Sequence, residues 1–279
     1  MTPAIAWFVL SLVVSCGNDV LMKYTGASIS PWQVAFFRCL FGTLTLLPVM
    51  FYQGKPAFQT QRLGLHAVRG GLLFVAMSLW SHGVQAAPIT TATIMSFTVP
   101  IFVLVFAPLL LQERVTAPMW LATLGGFAGI VFVLRPSHWS FHTAAGFLLL
   151  AAVLFGLLDV INKKYVSQEP MLCMLFYATL VATVLMALPA WYAGPLPDGA
   201  VLGWLFVLGG GGNLILYCLL RAFALANAST LAPLRYLELL ISTGMGYVLF
   251  QELPSTSSYL GAAMIIPCTL LIAYYQRPE

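Results

Sequence analysis

Ten long apolar segments occupy nearly all of this chain of 279 residues. Each has about the 20 residues that a helix needs to cross the hydrocarbon core of a bilayer. Only 7% of the residues are charged, whereas a soluble domain carries roughly 25%, so a water-facing surface could not be covered. The sequence therefore predicts an all-α membrane protein. Its predicted spans 1 to 10 are 4–24, 31–52, 68–87, 91–111, 117–135, 145–163, 171–192, 202–225, 229–250 and 257–275.

The two halves of the chain share motifs at a nearly constant spacing. Gln112-Glu113 after span 4 recurs in the second half as Gln251-Glu252 after span 9. Two copies of a five-span unit must insert in opposite orientations, because five is odd. We therefore predict two inverted five-helix repeats, at 1–136 and 137–279, around a central cavity. Other matched pairs are Asp19 with Asp159, Gly70-Gly71 with Gly209-Gly210, and His82 with Arg221.

The basic residues indicate an orientation. With the amino terminus inside, seven basic residues are assigned to cytoplasmic loops and two, Lys23 and Arg135, to the outer side. The seven are Lys55, Arg62, Arg69, Arg114, Lys163, Lys164 and Arg277. This bias predicts an inner-membrane protein with both termini in the cytoplasm. Scattered charges of this kind do not indicate nucleic acid. The five cysteines lie in apolar segments without metal-ligand spacing, so we expect no metal or cofactor.

Ionisable residues inside the spans are the candidate functional groups. Each costs about 2.5–3.5 kcal/mol to insert, so it should face the bundle interior or a wet cavity. Residues four apart, such as Asn213, Tyr217 and Arg221, share one helix face. The predicted substrate-binding residues are Arg221, Arg235, Glu238, Tyr217, Asn213, Ser78, Trp80 and His82. The predicted gating residues are Asp19, Arg38, Asp159 and Asn18.

Several of these residues have a structural alternative. Asp19 with Lys23, and Asp159 with Lys163, are i,i+4 pairs that could simply neutralise each other. Arg38 could be a strut to a backbone carbonyl, and His82 a satisfied interior residue; Tyr217, Asn213 and Trp80 could be packing residues. The glutamates of the two Gln-Glu pairs are interpreted as helix caps or as tethers between the halves. The glycine run 209–212 is interpreted as close helix packing or a hinge.

The chain resembles the drug/metabolite transporter superfamily, of the EamA type. The resemblance rests on Ser30-Pro31 with Arg38 in span 2, the run 85–88 before Pro100 in span 4, and the two Gln-Glu pairs. It covers essentially the whole chain. It implies a basket of ten helices around a cavity, with spans 5 and 10 peripheral and often at dimer contacts, so a monomer or a homodimer is expected.

These observations predict a secondary transporter that works by alternating access. Signatures of intramembrane proteases, such as HExxH, do not occur, so we do not expect an enzyme. Mixed charges in the cavity suit a zwitterion or an organic acid, which favours an amino acid or an amino-acid-derived compound, and family frequency favours export. The alternative is uptake of a larger nucleoside- or flavin-like compound, with aromatic side chains stacking on its rings. A channel or receptor is less compatible with a two-fold internal repeat.

Overall fold

A computed structural model describes residues 2–25, 29–87, 89–134 and 143–250, together with Ala263 and Pro267. The regular elements in these ranges are helices. They are α1 (Thr2–Thr25), α2 (Pro31–Gln53), η1 (Lys55–Phe58), α3 (Leu63–Ala86), α4 (Ile89–Ser96), α5 (Val99–Leu111), α6 (Ala117–Leu134), α7 (Thr143–Tyr165), α8 (Met171–Tyr192), α9 (Gly199–Leu225), α10 (Ala228–Leu231), η2 (Ala232–Tyr236) and α11 (Leu237–Phe250). Gln251-Glu252 and predicted span 10, apart from Ala263 and Pro267, lie outside the described residues, and so do the side chains of Asp19 and Lys23.

Six described stretches are long and apolar enough to cross a membrane. They are Pro31–Gln53, Leu63–Val84, Thr91–Leu111, Thr143–Tyr165, Met171–Tyr192 and Gly199–Leu225. The apolar helical stretches Pro3–Asn18 and Ala117–Phe132 are shorter. The all-helical membrane class is confirmed for the described residues, whereas the number of ten spans stays a prediction.

Predicted spans 4 and 9 are each interrupted. A turn at Phe97 and Thr98 separates α4 from α5, just before Pro100. In span 9 the four residues of α10 pass into the 3₁₀-helix η2, which contains Pro233. Proline has no N–H to donate to the preceding turn, so a continuous α-helix is disfavoured at both places.

The helices pack in pairs that relate one half of the chain to the other. α1 packs on α9, and α7 packs on α3; α2 packs on α9, and α8 packs on α3; α2 and α8 pack on each other. Contacts fix their directions: Trp7 near the start of α1 meets Tyr217 near the end of α9, and Arg69 near the start of α3 meets Asn162 near the end of α7. We call the end of the bundle where α1, α3 and α8 begin and α7 and α9 end the amino-terminal face.

Two glycines at matched positions lie at close approaches between helices. A Cβ on Gly209 of α9 would meet the Arg38 carbonyl oxygen at 2.8 Å and the Gly42 nitrogen at 2.7 Å, both on α2. A Cβ on Gly70 of α3 would overlap the side chain of Val181 on α8. Both glycines belong to the matched Gly-Gly pairs of the sequence. The interpretation of the glycine run 209–212 as close helix packing is therefore confirmed at Gly209.

Candidate functional site

An ion pair joins α7 to the interrupted helix of span 9. Nη1 of Arg235, on η2, lies 3.2 Å from Oδ2 of Asp159, on α7. The Asp159 side chain is 14% exposed and the Arg235 side chain 33% exposed. The pair is therefore shielded from bulk water but not sealed from it, which leaves both groups accessible to a charged ligand.

The ion pair lines a cavity between elements of the two halves. In this conformation its volume is about 10 Å³, which is room for about one water molecule. The other lining residues are apolar: Phe8, Val99, Pro100, Val103, Phe223, Ala228 and Ala232. One carboxylate and one guanidinium thus project from an apolar wall, an arrangement that can orient a ligand carrying both charges.

Both helix interruptions belong to this wall. Pro100 lines the cavity directly, and Ala232 precedes Pro233 at the start of η2. Non-helical backbone at membrane depth is tolerated where it is buried in protein or lines a cavity. Discontinuous helices are a common way for transporters to build a substrate site. The two prolines therefore place an irregular backbone at the cavity wall, and η2 places Arg235 opposite Asp159.

Glu113 holds the segment that carries Arg235. Its Oε1 accepts the N–H of Ala228 at 3.1 Å, and its Oε2 accepts the N–H of Ser229 at 3.0 Å and the Ser229 hydroxyl at 2.5 Å. These are the first residues of α10, whose backbone N–H groups have no partner within the helix. Glu113 follows α5 in the first half, so the interpretation as a cap and a tether is confirmed. Glu252 lies outside the described residues.

Replacing Glu113 with glutamine should destabilise this junction. A glutamine amide offers one acceptor oxygen where the carboxylate offers two, so at least one buried donor loses its partner, at about 1–3 kcal/mol. We expect a lower thermal unfolding temperature in detergent. The matched control is Asp198→Asn, because Asp198 precedes α9 but makes no side-chain capping bond. Equal unfolding temperatures for Glu113→Gln and wild type would contradict the capping role.

Arg221 lies beside aromatic rings and outside the lining of the Asp159 cavity. Its Nε donates to the Tyr217 hydroxyl at 3.1 Å. Its guanidinium carbon is 5.7 Å from the Trp7 ring centre and 5.5 Å from that of Tyr217. The arginine is exposed. The predicted α9 stripe therefore exists at Tyr217 and Arg221, but the structure does not bring Arg221 to Arg235.

Asn213, the third residue of that stripe, binds the neighbouring helix α2. Its Nδ2 donates to the Gly42 carbonyl at 2.5 Å and lies 3.0 Å from Oγ1 of Thr45. Asn18 donates in the same way from α1 to the Leu208 carbonyl of α9, at 3.3 Å. Arg38 lies next to Gly212 on α9. The structure thus brings Asn18 and Arg38 to one stretch of α9, away from Asp159, and the side chain of Asp19 lies outside the described ones.

The predicted residues of α3 make local contacts. The Ser78 hydroxyl donates to the Phe74 carbonyl at 2.7 Å, and Nδ1 of His82 lies 2.8 Å from the Ser78 carbonyl oxygen. His82 also meets the Trp32 ring edge-on at 4.7 Å, and Trp80 meets Phe155. Glu238 is half-buried on α11. In the described residues these side chains do not join the Asp159–Arg235 pair.

The sequence reasoning missed a buried polar network at the amino-terminal face. Arg69 was assigned to a cytoplasmic loop, which is wrong, because α3 begins at Leu63 and buries this arginine with 1% exposure. Its Nε donates to Oδ1 of Asn162 at 2.9 Å, and its Nη1 donates to the Met174 carbonyl at 2.9 Å. A spacing signal was available, because Arg62, His66 and Arg69 recur at helical spacing. The predicted span began at residue 68 and therefore left out Arg62 and His66.

Glu169 anchors the other end of this network. Its Oε2 accepts the Thr60 hydroxyl at 2.8 Å and lies 3.5 Å from Nε2 of His66. Arg62 approaches Oε1 at 3.8 Å.

Lys163, also assigned to a loop by its sequence, lies in α7 and donates to the Phe223 carbonyl at 2.6 Å. Within the described ranges, no group of three His, Cys, Asp or Glu residues is arranged to hold a metal ion.

The sequence profile of the EamA-like transporter family matches residues 2–135 and residues 142–274. The chain belongs to this family. It is a multi-pass membrane transporter, as the resemblance noted from its motifs predicted. An S-adenosylmethionine uptake transporter from Rickettsia prowazekii is 45% identical over 277 residues, which cover 98% of this chain and 93% of that protein. A riboflavin transporter from Brucella anthropi is 29% identical and covers 86% of both chains.

A crystal structure shares the fold of this family member. It superposes with a TM-score of 0.82 over 100% of this chain and 99% of the other, at 18% sequence identity. At that identity the likeness concerns the fold alone. The two relatives reported by name are transporters, in agreement with the non-enzymatic role expected from the sequence.

Proposed function

We propose that this transporter imports S-adenosylmethionine across a bacterial inner membrane by alternating access. The Asp159–Arg235 pair at the cavity wall is the observation that carries the proposal, and the name of the Rickettsia relative indicates the compound. S-adenosylmethionine is an amino-acid-derived metabolite, the substrate class that the mixed charges predict. The names of relatives at this identity favour uptake over the export expected from family frequency.

The charges of the substrate match the two side chains. S-adenosylmethionine carries a carboxylate, an ammonium group and a sulfonium centre. A planar guanidinium binds a carboxylate with two parallel hydrogen bonds, so Arg235 would hold the carboxylate. Asp159 would hold the ammonium or sulfonium cation. In this mechanism the substrate separates the protein's own ion pair and replaces each partner with a charge of its own, so neither side chain is left unpaired in the cavity.

The apolar part of the wall suits the rest of the molecule. Phe8 and Phe223 face the cavity from α1 and α9, and aromatic faces attract sulfonium-type cations and stack on purine rings. Riboflavin has neither a carboxylate nor a fixed positive charge, so it gives the ion pair nothing to bind. This difference favours S-adenosylmethionine over the flavin-like alternative.

The helix arrangement supports two inverted repeats as the mechanical basis. α2 and α8, at matched positions in the two halves, run in opposite directions: Gln33 near the start of α2 donates to the Pro195 carbonyl after the end of α8 at 2.7 Å. Gly70 and Gly209, at matched positions of the two halves, both lie at close helix crossings.

The size of the cavity also favours a mechanism in which the two halves of the protein move relative to each other. The cavity beside the ion pair has a volume of about 10 Å³, which is room for about one water molecule. Pockets that enclose a drug-sized ligand have volumes of roughly 300 Å³ or more. Full enclosure of a nucleoside-sized substrate therefore requires the halves to move apart, as alternating access provides.

Uptake into proteoliposomes tests this proposal. We expect purified protein to give saturable entry of radiolabelled S-adenosylmethionine. An excess of unlabelled S-adenosylmethionine should suppress this entry, and an equal excess of riboflavin should leave it unchanged, because riboflavin lacks the charges that the site pairs. Liposomes without protein provide the background. Saturable riboflavin entry with no S-adenosylmethionine entry would support the alternative substrate and contradict this one.

A further inference from the structure

A chain of hydrogen bonds with a fixed direction crosses the amino-terminal face. We call the residues Thr60, Arg62, His66, Arg69, Asn162 and Glu169 the latch. An arginine can only donate hydrogen bonds. Since Nη1 of Arg69 lies 3.3 Å from Nδ1 of His66, that nitrogen must be the acceptor. Nε2 of His66 then carries the proton and points to the Thr60 oxygen at 3.2 Å, while the Thr60 hydroxyl donates to Glu169.

The latch joins elements from the two halves of the chain. Arg69 and His66 belong to α3, and Thr60 belongs to the connection between α2 and α3. Asn162 belongs to α7, and Glu169 to the connection between α7 and α8. Both Arg69 and Asn162 are 1% exposed, so water is excluded from their contact. Separating α3 from α7 and α8 therefore breaks the hydrogen bonds of a buried guanidinium before water can replace them, which is costly.

On the opposite face of the bundle, the matched positions carry apolar side chains in place of basic ones. The spacing that relates Gly70 to Gly209 also relates the three basic residues Arg62, His66 and Arg69 to Val201, Leu205 and Leu208. Leu205 and Leu208 of α9 are fully buried and pack with Phe37 of α2, and Val201 packs against the same cluster. Among the described side chains, these three positions thus form an apolar contact where the amino-terminal face has an ionic one. An apolar contact separates without leaving a charge unpaired.

We propose that Arg69 and Glu169 are gating residues of transport, which hold the amino-terminal face closed until α3 separates from α7 and α8. This assignment rests on the proposed function to the extent that alternating access requires that face to open. At these three matched positions the two faces thus differ chemically, with basic side chains on the amino-terminal face and apolar ones on the other.

Native cysteines report opening of this face. Cys173, at the start of α8, is buried under the α2–α3 connection, with its Sγ 3.0 Å from the Ala57 carbonyl oxygen. The labelling rate of Cys173 by N-ethylmaleimide, read by peptide mass spectrometry, should rise about tenfold or more in Arg69→Met and in Glu169→Gln, because each leaves a buried group unpaired. Cys16, buried on α1 with its Sγ 3.6 Å from the Glu238 carbonyl oxygen of α11, is the internal reference and should keep its wild-type rate.

The possible results distinguish opening at the latch from destabilisation of the whole protein, and they do not depend on which substrate is transported. Lys55→Gln, an exposed substitution near the same connection, should leave both rates unchanged. A parallel rise at Cys173 and Cys16, or no rise at Cys173 in either folded variant, would overturn the assignment. If Arg69→Met does not purify as a folded protein, Glu169→Gln decides alone. The labelling uses no substrate, so its result does not depend on S-adenosylmethionine being the transported compound.

Discussion

Replacing Arg235 with glutamine is expected to lower S-adenosylmethionine uptake by about 100-fold, since losing one partner of a shielded, hydrogen-bonded charge pair costs roughly 2–5 kcal/mol. The substitution removes the cation that would bind the substrate carboxylate. It also leaves the Asp159 carboxylate without the guanidinium that it faces at 3.2 Å. Initial uptake rates in proteoliposomes at equal protein density measure the effect, and size-exclusion profiles check that the variant is folded.

Two further variants make this result interpretable. Arg114→Gln removes one positive charge from an exposed position between α5 and α6, so uptake should stay close to wild type. Asp159→Asn should lower uptake as strongly as Arg235→Gln, because the two side chains would act on one ligand. Wild-type uptake by a folded Arg235→Gln protein would remove the ion pair from the substrate site.

Gly209→Ala is expected to cause the largest loss of stability from a single methyl group. The added carbon would lie within 2.8 Å of backbone atoms of Arg38 and Gly42 on α2, closer than van der Waals contact allows. The two helices must then move apart, and overpacking of this kind costs about 1–3 kcal/mol. The hydrogen bond from Asn213 to the Gly42 carbonyl lies at the same crossing and would be lengthened too.

The adjacent glycine provides the matched control. A Cβ on Gly210 would lie 3.7 Å from a methyl group of Thr45, an ordinary contact, so Gly210→Ala should unfold near the wild-type temperature. The same comparison is available in the first half. Gly70→Ala should destabilise the protein, and Gly71→Ala should not, because a Cβ on Gly71 meets nothing within 4 Å. Equal unfolding temperatures for Gly209→Ala and Gly210→Ala would contradict the close crossing.

Local sequence signals predicted individual residues better than their partners. Arg235 was predicted to bind substrate because a charge inside an apolar span needs an interior position, and the structure places it at the cavity wall. Its partner was not predicted: Asp159 was assigned to gating or to neutralising Lys163 one turn away. The actual pair joins residues 76 positions apart, and no periodicity encodes such a contact. Glu113 was correctly interpreted as a cap or tether, because the position of a carboxylate at a helix junction is a local signal.

Arg69 shows the opposite case. A basic residue near the end of an apolar segment is typical of a positively charged cytoplasmic loop, and Arg69 is the second residue of the predicted span 68–87. The structure extends α3 back to Leu63 and pairs Arg69 with α7 and α8. Its burial depends on acceptors from the other half of the chain, which the α3 sequence does not contain.

Composition and apolar segment length determined by themselves that this chain is a helical membrane protein, and its motifs identified the family. Both are local properties: a bilayer selects long apolar helices whatever surrounds them. Tertiary structure alone decided which partner each charged side chain has: Arg235 pairs with Asp159, Arg69 donates to the neutral amide of Asn162, and Arg221 lies over the Trp7 ring. The physical reason is that an ionic contact depends on the distance between two helices, which is set by packing at positions such as Gly209 and not by either helix alone.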